Sequence, residues 1–309
     1  VNALTEPLRA RLQETLSGQQ TGVPAWIGAF ADGTDAGFFG PGSAAWAVHG
    51  GMPTLVAGVR ALMMQALHPG ALGGVHDWSR YREDPLGRLA GTIRWIFTVS
   101  YGDTTQAITG SEWVLKLHER VVGTYVDAHG HERAYSANDP ELLSWVHLAF
   151  TDAFLSCHEL WGGPIPGGPD QYVREWAKAG ELMGVPNPPR SRAELKAQLH
   201  AFADAGELAG GAGVDEIVRF IRRAPLRRAL RPSYRILFEG AVVSLEPRFR
   251  EMLGLEVARF GPVPLPVVGA TGVVLGGAGT LLGRQTAGEK AALVRLERLG
   301  LLGSKSSAG

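Results

Sequence analysis

Apolar residues recur at helical spacing through most of the chain, and no convincing series of alternating strands interrupts them. The pattern predicts helices over about 2 to 16, 52 to 68, 85 to 100, 104 to 127, 140 to 161, 169 to 183, 191 to 204, 214 to 222 and 232 to 253. The expected fold class is all-α, a single large helical domain. Asp84-Pro85 and Asp139-Pro140 mark two starts with the same chemistry, an aspartate to cap free amides and a proline already at helical φ. Asp127 to Glu132 is polar and holds Gly130, so it reads as a surface connection with His129 and His131 solvated. The break from Gly162 to Pro169 reads as a loop inside one domain, because residues 170 to 253 hold too few strongly apolar runs for a core of their own.

From Gly261 to Gly283 no residue is charged, which meets the bare length of a membrane span. Three prolines at its start and seven glycines argue instead for a buried or surface-associated element, with peripheral membrane contact as its partner role. The chain divides into an N-terminal helix and loop (1–40), a helical catalytic domain (41–260), and a glycine-rich segment with a tail (261–309). The start at Val1 lacks a basic run followed by an apolar one, so no signal peptide is expected. With one cysteine, Cys157, no intrachain disulfide can form, and the expected location is cytoplasmic, with membrane association through residues 261–283. The 309 residues balance 30 basic against 30 acidic groups without a long basic run, which excludes nucleic acid as the expected partner.

Most familiar chemistries find no support. There is no pair of Glu-x-x-His motifs for a di-iron bundle, no His-Glu-x-x-His for a zinc peptidase and no Gly-x-Ser-x-Gly for a serine hydrolase. Gly272 to Gly279 follows no convincing strand and lacks a Gly-Lys-Ser/Thr ending, so it is no nucleotide loop. What remains is a histidine and a cation–hydroxyl pair. His118 shares a helical face with Val114, Leu117 and Val121, while Arg88 and Thr92 stand four residues apart on one face. Taken singly, these are a core histidine and a solvated helix face; together they suggest a haem site between helices. No Cys-x-x-Cys-His occurs and Cys157 reads as a buried thiol, so ligation would fall to histidine and the haem would be noncovalent haem b.

In order along the chain stand Ala66-Leu67-His68-Pro69, then Asp84-Pro85-Leu86-Gly87-Arg88 with Thr92, then Leu117-His118-Glu119-Arg120, then Asp139-Pro140-Glu141-Leu142-Leu143 with Trp145-Val146-His147. This series resembles the rubber-oxygenase family, which includes latex-clearing proteins and farnesyl-cleaving fungal oxygenases. The resemblance implies that His118 is the proximal iron ligand and that Arg88 and Thr92 lie beside the haem. Latex-clearing proteins carry a lysine just before the threonine, where this chain has Gly91, and their glutamate base falls near Leu72 in a glycine-rich segment.

The resulting expectation is a haem b (iron) oxygenase that uses dioxygen or peroxide on a hydrophobic small molecule, with oxidative alkene cleavage as the family reaction. Arg88 and Thr92 are the candidate catalytic residues, and His118 is the candidate metal ligand. His68, His76 and His147 are further candidate haem contacts, with His68 otherwise read as an imidazolium at a helix C-terminus. Two rivals stay open, a haem carrier or sensor without turnover and a helical lipid-binding module without haem.

Overall fold

The computed structural model describes residues 23–78, 85–283 and 285–302, with the backbone alone for 85–89. The expected helix at 2–16 therefore lies outside the described residues. Those described form one predominantly helical domain, most of whose buried apolar side chains belong to one cluster that runs from Ile27 to Leu296.

A short helix α1 (Ala25–Gly28) precedes α2 (Ala44–Gly50) and α3 (Thr54–Gln65). Next come α4 (Pro69–Trp78), α5 (Pro85–Tyr101) and α6 (Thr104–His118). Strands β1 (Val122–Val126) and β2 (Glu132–Ser136) form an antiparallel hairpin before α7 (Pro140–Trp161). Five helices follow: α8 (Pro169–Leu182), α9 (Arg192–Asp204), α10 (Ala212–Arg222), α11 (Arg231–Ser244) and α12 (Pro247–Met252). A minimal hairpin, β3 (Arg259–Phe260) and β4 (Val263–Pro264), leads to α13 (Val267–Leu282) and α14 (Ala287–Arg298).

The centre of the fold is α7 lying along α3. Helix α7 is buried on nearly every side, through Trp145, Leu148, Ala149, Phe150, Ala153, Phe154 and Cys157 among others, as an apolar helix must be to stay folded in water. Asp152 in this helix pairs with Arg60 of α3, both buried, and Arg60 also donates to the Ser244 carbonyl. A charged pair in such surroundings persists because each partner answers the other. The last helix is stitched to the first residues by buried Arg295, which donates to the carbonyls of Phe30 and Tyr101 at 2.9 Å each and of Ala36 at 3.2 Å.

Several sequence expectations need correction. The helix expected over 104–127 stops at His118, and the residues after it form the hairpin. Val122-Gly123-Thr124-Tyr125-Val126 is rich in strand-forming residues, and Gly123 and Tyr125 turn towards the protein while Val122, Thr124 and Val126 are exposed. Only glycine fits at 123, since a Cβ there would stand 2.8 Å from the Tyr135 ring. Asp127 closes the turn by accepting from the amides of His129 and His131 at 2.9 Å each, and both histidines are exposed as expected. The 232–253 helix is broken at Leu245, where an extended residue precedes Pro247 at the first turn of α12. Helices α1, α2, α4 and α14 fall outside the expected helices.

The glycine-rich segment folds as α13 despite its low intrinsic propensity, because one face is buried on α11. Thr271 donates to the Ile236 carbonyl at 3.3 Å, and a Cβ on Gly240 would meet its hydroxyl at 2.7 Å, so the glycine permits the close approach. Among the described residues no single helix is long and apolar enough to cross a membrane.

Candidate functional site

Helix α6 is held at its start by a capping box. Asp103 accepts from the Gln106 amide at 2.7 Å, and the Gln106 side chain accepts from the Asp103 amide at 3.0 Å. Two residues separate α5 from α6, so the helices run antiparallel with a fixed register. Gly110 faces Thr98, and the Trp95 indole donates to the Ser111 hydroxyl at 3.1 Å. Carried further along the pair, that register brings Thr92 level with Leu115 and Arg88 level with the last turn, where His118 stands. The two segments singled out by the sequence thus lie on adjoining helices.

One wall of this end of the molecule is apolar. Leu143, Met183 and Val185 form a small buried cluster, with Trp95, Val114 and Leu115 packed against it. His118 is half-buried as the last residue of α6. Burial pushes its pKa down and Asn138 pushes it up by a smaller amount, which leaves the ring neutral at neutral pH, the form that ligates metals. Its Nδ1 is sealed from solvent without a hydrogen bond. Leu117, expected on the apolar face with His118, is instead exposed, because the helix ends before a further turn can cover it.

The other expected residues scatter. Thr92 is exposed on α5, and the Arg88 side chain lies outside the described residues. His76 is half-buried in α4, the helix that carries the β1–β2 hairpin. His147 is buried in α7 with its Nε2 unpaired and its pKa pushed down by burial to about 4. It packs against Gly180 of α8, where a Cβ would come within 3.1 Å of its Nε2. Asp84 lies outside the described residues. Asp139 stands before Pro140 as expected but does not cap α7, its carboxylate accepting from the Ser136 amide at 2.7 Å.

His68 corrects its own reading. It precedes Pro69 at the start of α4, and its Nδ1 accepts from the Gly70 amide at 3.1 Å, so it caps a helix N-terminus. The positive end of a helix disfavours imidazolium, and burial holds the ring neutral with a pKa of about 4, against an upward pull from Glu207 and with a further downward one from Arg133. His68, Glu141 and Glu207 bring ligand atoms within 4.8 Å of one another. With Nδ1 accepting, however, the neutral ring carries its proton on Nε2, the atom 3.6 Å from Glu141, so a cation there would displace the helix cap.

Sequence reasoning missed His49 and Asn138. His49 is buried in α2 and fully bonded, Nδ1 to the Ser100 hydroxyl at 2.8 Å and Nε2 to the Tyr172 hydroxyl at 3.0 Å. Asn138 donates from Nδ2 to the Leu115 carbonyl at 3.0 Å, one turn before His118. Its place just ahead of Asp139-Pro140 was visible in the chain, but its contact with α6 depends on the hairpin in between.

Fold and site together define a predominantly helical protein with a neutral, half-buried histidine at a helix end beside an apolar cluster. Residues 46–274 match the family model described as ER-bound oxygenase mpaB/B'/rubber oxygenase, catalytic domain, and the chain belongs to that family. It is thereby an enzyme of the oxygenase type. No curated protein and no solved structure matches it.

Proposed function

We propose that this protein is a haem b-dependent oxygenase that acts on a hydrophobic small molecule with dioxygen or peroxide. The observation that carries the reading is the state of His118, a half-buried ring held neutral by burial beside an apolar cluster, on the helix that adjoins Thr92 and Arg88. A single neutral imidazole between helices suits noncovalent haem, whereas a closed structural metal site would need three or four converging ligands.

In this reading His118 would be the residue that holds the haem iron. Haem b, when bound, supplies the redox chemistry at iron that the side chains of this chain lack. Arg88 contributes a permanent positive charge and a forked donor suited to a carboxylate or to developing negative charge. Thr92 contributes a hydroxyl that can give or take a hydrogen bond. Trp95, Val114, Leu115, Leu143, Met183 and Val185 exclude water and favour an apolar substrate. Gly91 stands just before Thr92, where latex-clearing proteins carry a lysine, so this chain supplies no such lysine beside Thr92.

The test is oxygen uptake by hemin-reconstituted protein with isoprenoids and aromatic metabolites offered in turn. Substrate-dependent uptake that is lost in His118→Ala is expected. Bound hemin with no uptake for any apolar substrate would reduce the protein to a haem carrier.

A further inference from the structure

Two buried polar atoms at the end of α6 lack hydrogen bonds of ordinary geometry, and they belong to neighbouring side chains: Nδ1 of His118 and Oδ1 of Asn138. Asn138 stands in the link between β2 and α7, which is pinned on either side of it. The Ala137 amide donates to the Val121 carbonyl and the Asp139 amide to the Ser136 carbonyl, each at 2.9 Å. The side-chain amide is oriented too. Its Nδ2 donates to the Leu115 carbonyl, which can only accept, so Oδ1 is the end left for the imidazole.

An acceptor beside Nδ1 favours the tautomer that carries its proton there. Closing the contact satisfies both orphaned atoms at once, each of which is otherwise a buried polar group without a partner.

We propose that Asn138 is a positioning residue that holds His118 as its Nδ1–H tautomer and so keeps the Nε2 lone pair for an axial bond to iron. The consequence for iron rests on the haem reading, whereas the tautomer does not. A second partner on a ligating histidine fixes the ring's orientation and raises its basicity. The chain has built that partner on a hairpin link, twenty residues after the ligand.

The experiment has two arms. In the first, protein labelled with nitrogen-15 at histidine and free of hemin is read by two-bond nitrogen–proton correlation, with His118→Leu used to assign the signals. The wild type should show His118 protonated at Nδ1, and Asn138→Ala should move it towards the Nε2–H form. Asn138→Asp keeps an acceptor while losing the bond to Leu115; it should restore Nδ1–H and raise the pH at which the ring titrates. An Nε2–H ring in the wild type, or a tautomer unmoved by Asn138→Ala, overturns the proposal. In the second arm, hemin affinity should fall roughly 10–100-fold in Asn138→Ala and recover in Asn138→Asp. Equal affinity in all three overturns the axial consequence. A wild type that shows Nδ1–H but no Soret band would refute the haem reading and leave Asn138 as the tautomer-setting residue.

Discussion

His49 and His118 both lie among apolar side chains and both are held neutral by burial, yet their surroundings treat them in opposite ways. Around His49 each ring nitrogen has a hydroxyl partner, and Trp176 stands edge-on at 4.2 Å between ring centroids. Its pKa is pushed down to about 3, by burial first and by His158 second. At His118 one nitrogen is buried and unanswered. The two hydroxyls fix His49 as part of the scaffold, whereas at His118 the side chain beside the buried nitrogen is Asn138. The same contrast separates the α3–α7 centre, where Arg60 and Asp152 answer each other, from the α5–α6 end.

The largest effect that would sharpen this contrast belongs to the centre. Arg60→Ala removes the buried partner of Asp152, leaving it, among the described residues, only Ser156 at 3.3 Å and Lys196 at 3.9 Å, and should cost about 3–5 kcal/mol in chemical denaturation. Loss below about 1 kcal/mol would mean that the pair is not the buried anchor described here. His49→Leu comes next, leaving the hydroxyls of Ser100 and Tyr172 unpaired at a cost of about 1–3 kcal/mol. His118→Leu should cost less, about 1 kcal/mol, because it leaves one buried acceptor, Oδ1 of Asn138, without its neighbour. Equal destabilisation by the two leucines would erase the distinction.

A smaller effect is the pH dependence. His49, His68 and His147 have folded pKa values of about 3, 4 and 4, below the ordinary value of 6.5. The unfolded chain therefore binds more protons as pH falls, and the stability these groups contribute is complete above pH 6.5 and is lost towards pH 4 to 3. The denaturation midpoint should drop between pH 7 and pH 5, and less steeply in His49→Leu than in the wild type. A midpoint that is flat or rising over that interval would contradict neutral burial of these rings.

The legible parts of the molecule were those written in local sequence. Helical period gave α7, α8 and α9 close to their observed bounds, and Pro140 marked the start of α7 even though Asp139 turned its carboxylate elsewhere. Residues 122–126 hid because their apolar positions continue the phase of α6 for a turn before the strand begins. The helix α4, with glycines at 70, 73 and 74, was unreadable from propensity; those glycines let the rings of Tyr125 and Tyr135 lie against it, a non-local demand. At the site, His118 was legible as an imidazole on a helix. Its partner Asn138 was not, since only the folded hairpin returns residue 138 to the end of α6.

The most direct measurement is a hemin titration of the purified protein followed by absorption spectroscopy, run in parallel on His118→Ala. One equivalent of hemin should give a Soret band in the wild type that is shifted and weakened in the variant, and added imidazole should restore it. An unchanged band and full hemin content in His118→Ala would show that His118 is not the ligand, and no Soret band in the wild type would remove haem from this site altogether.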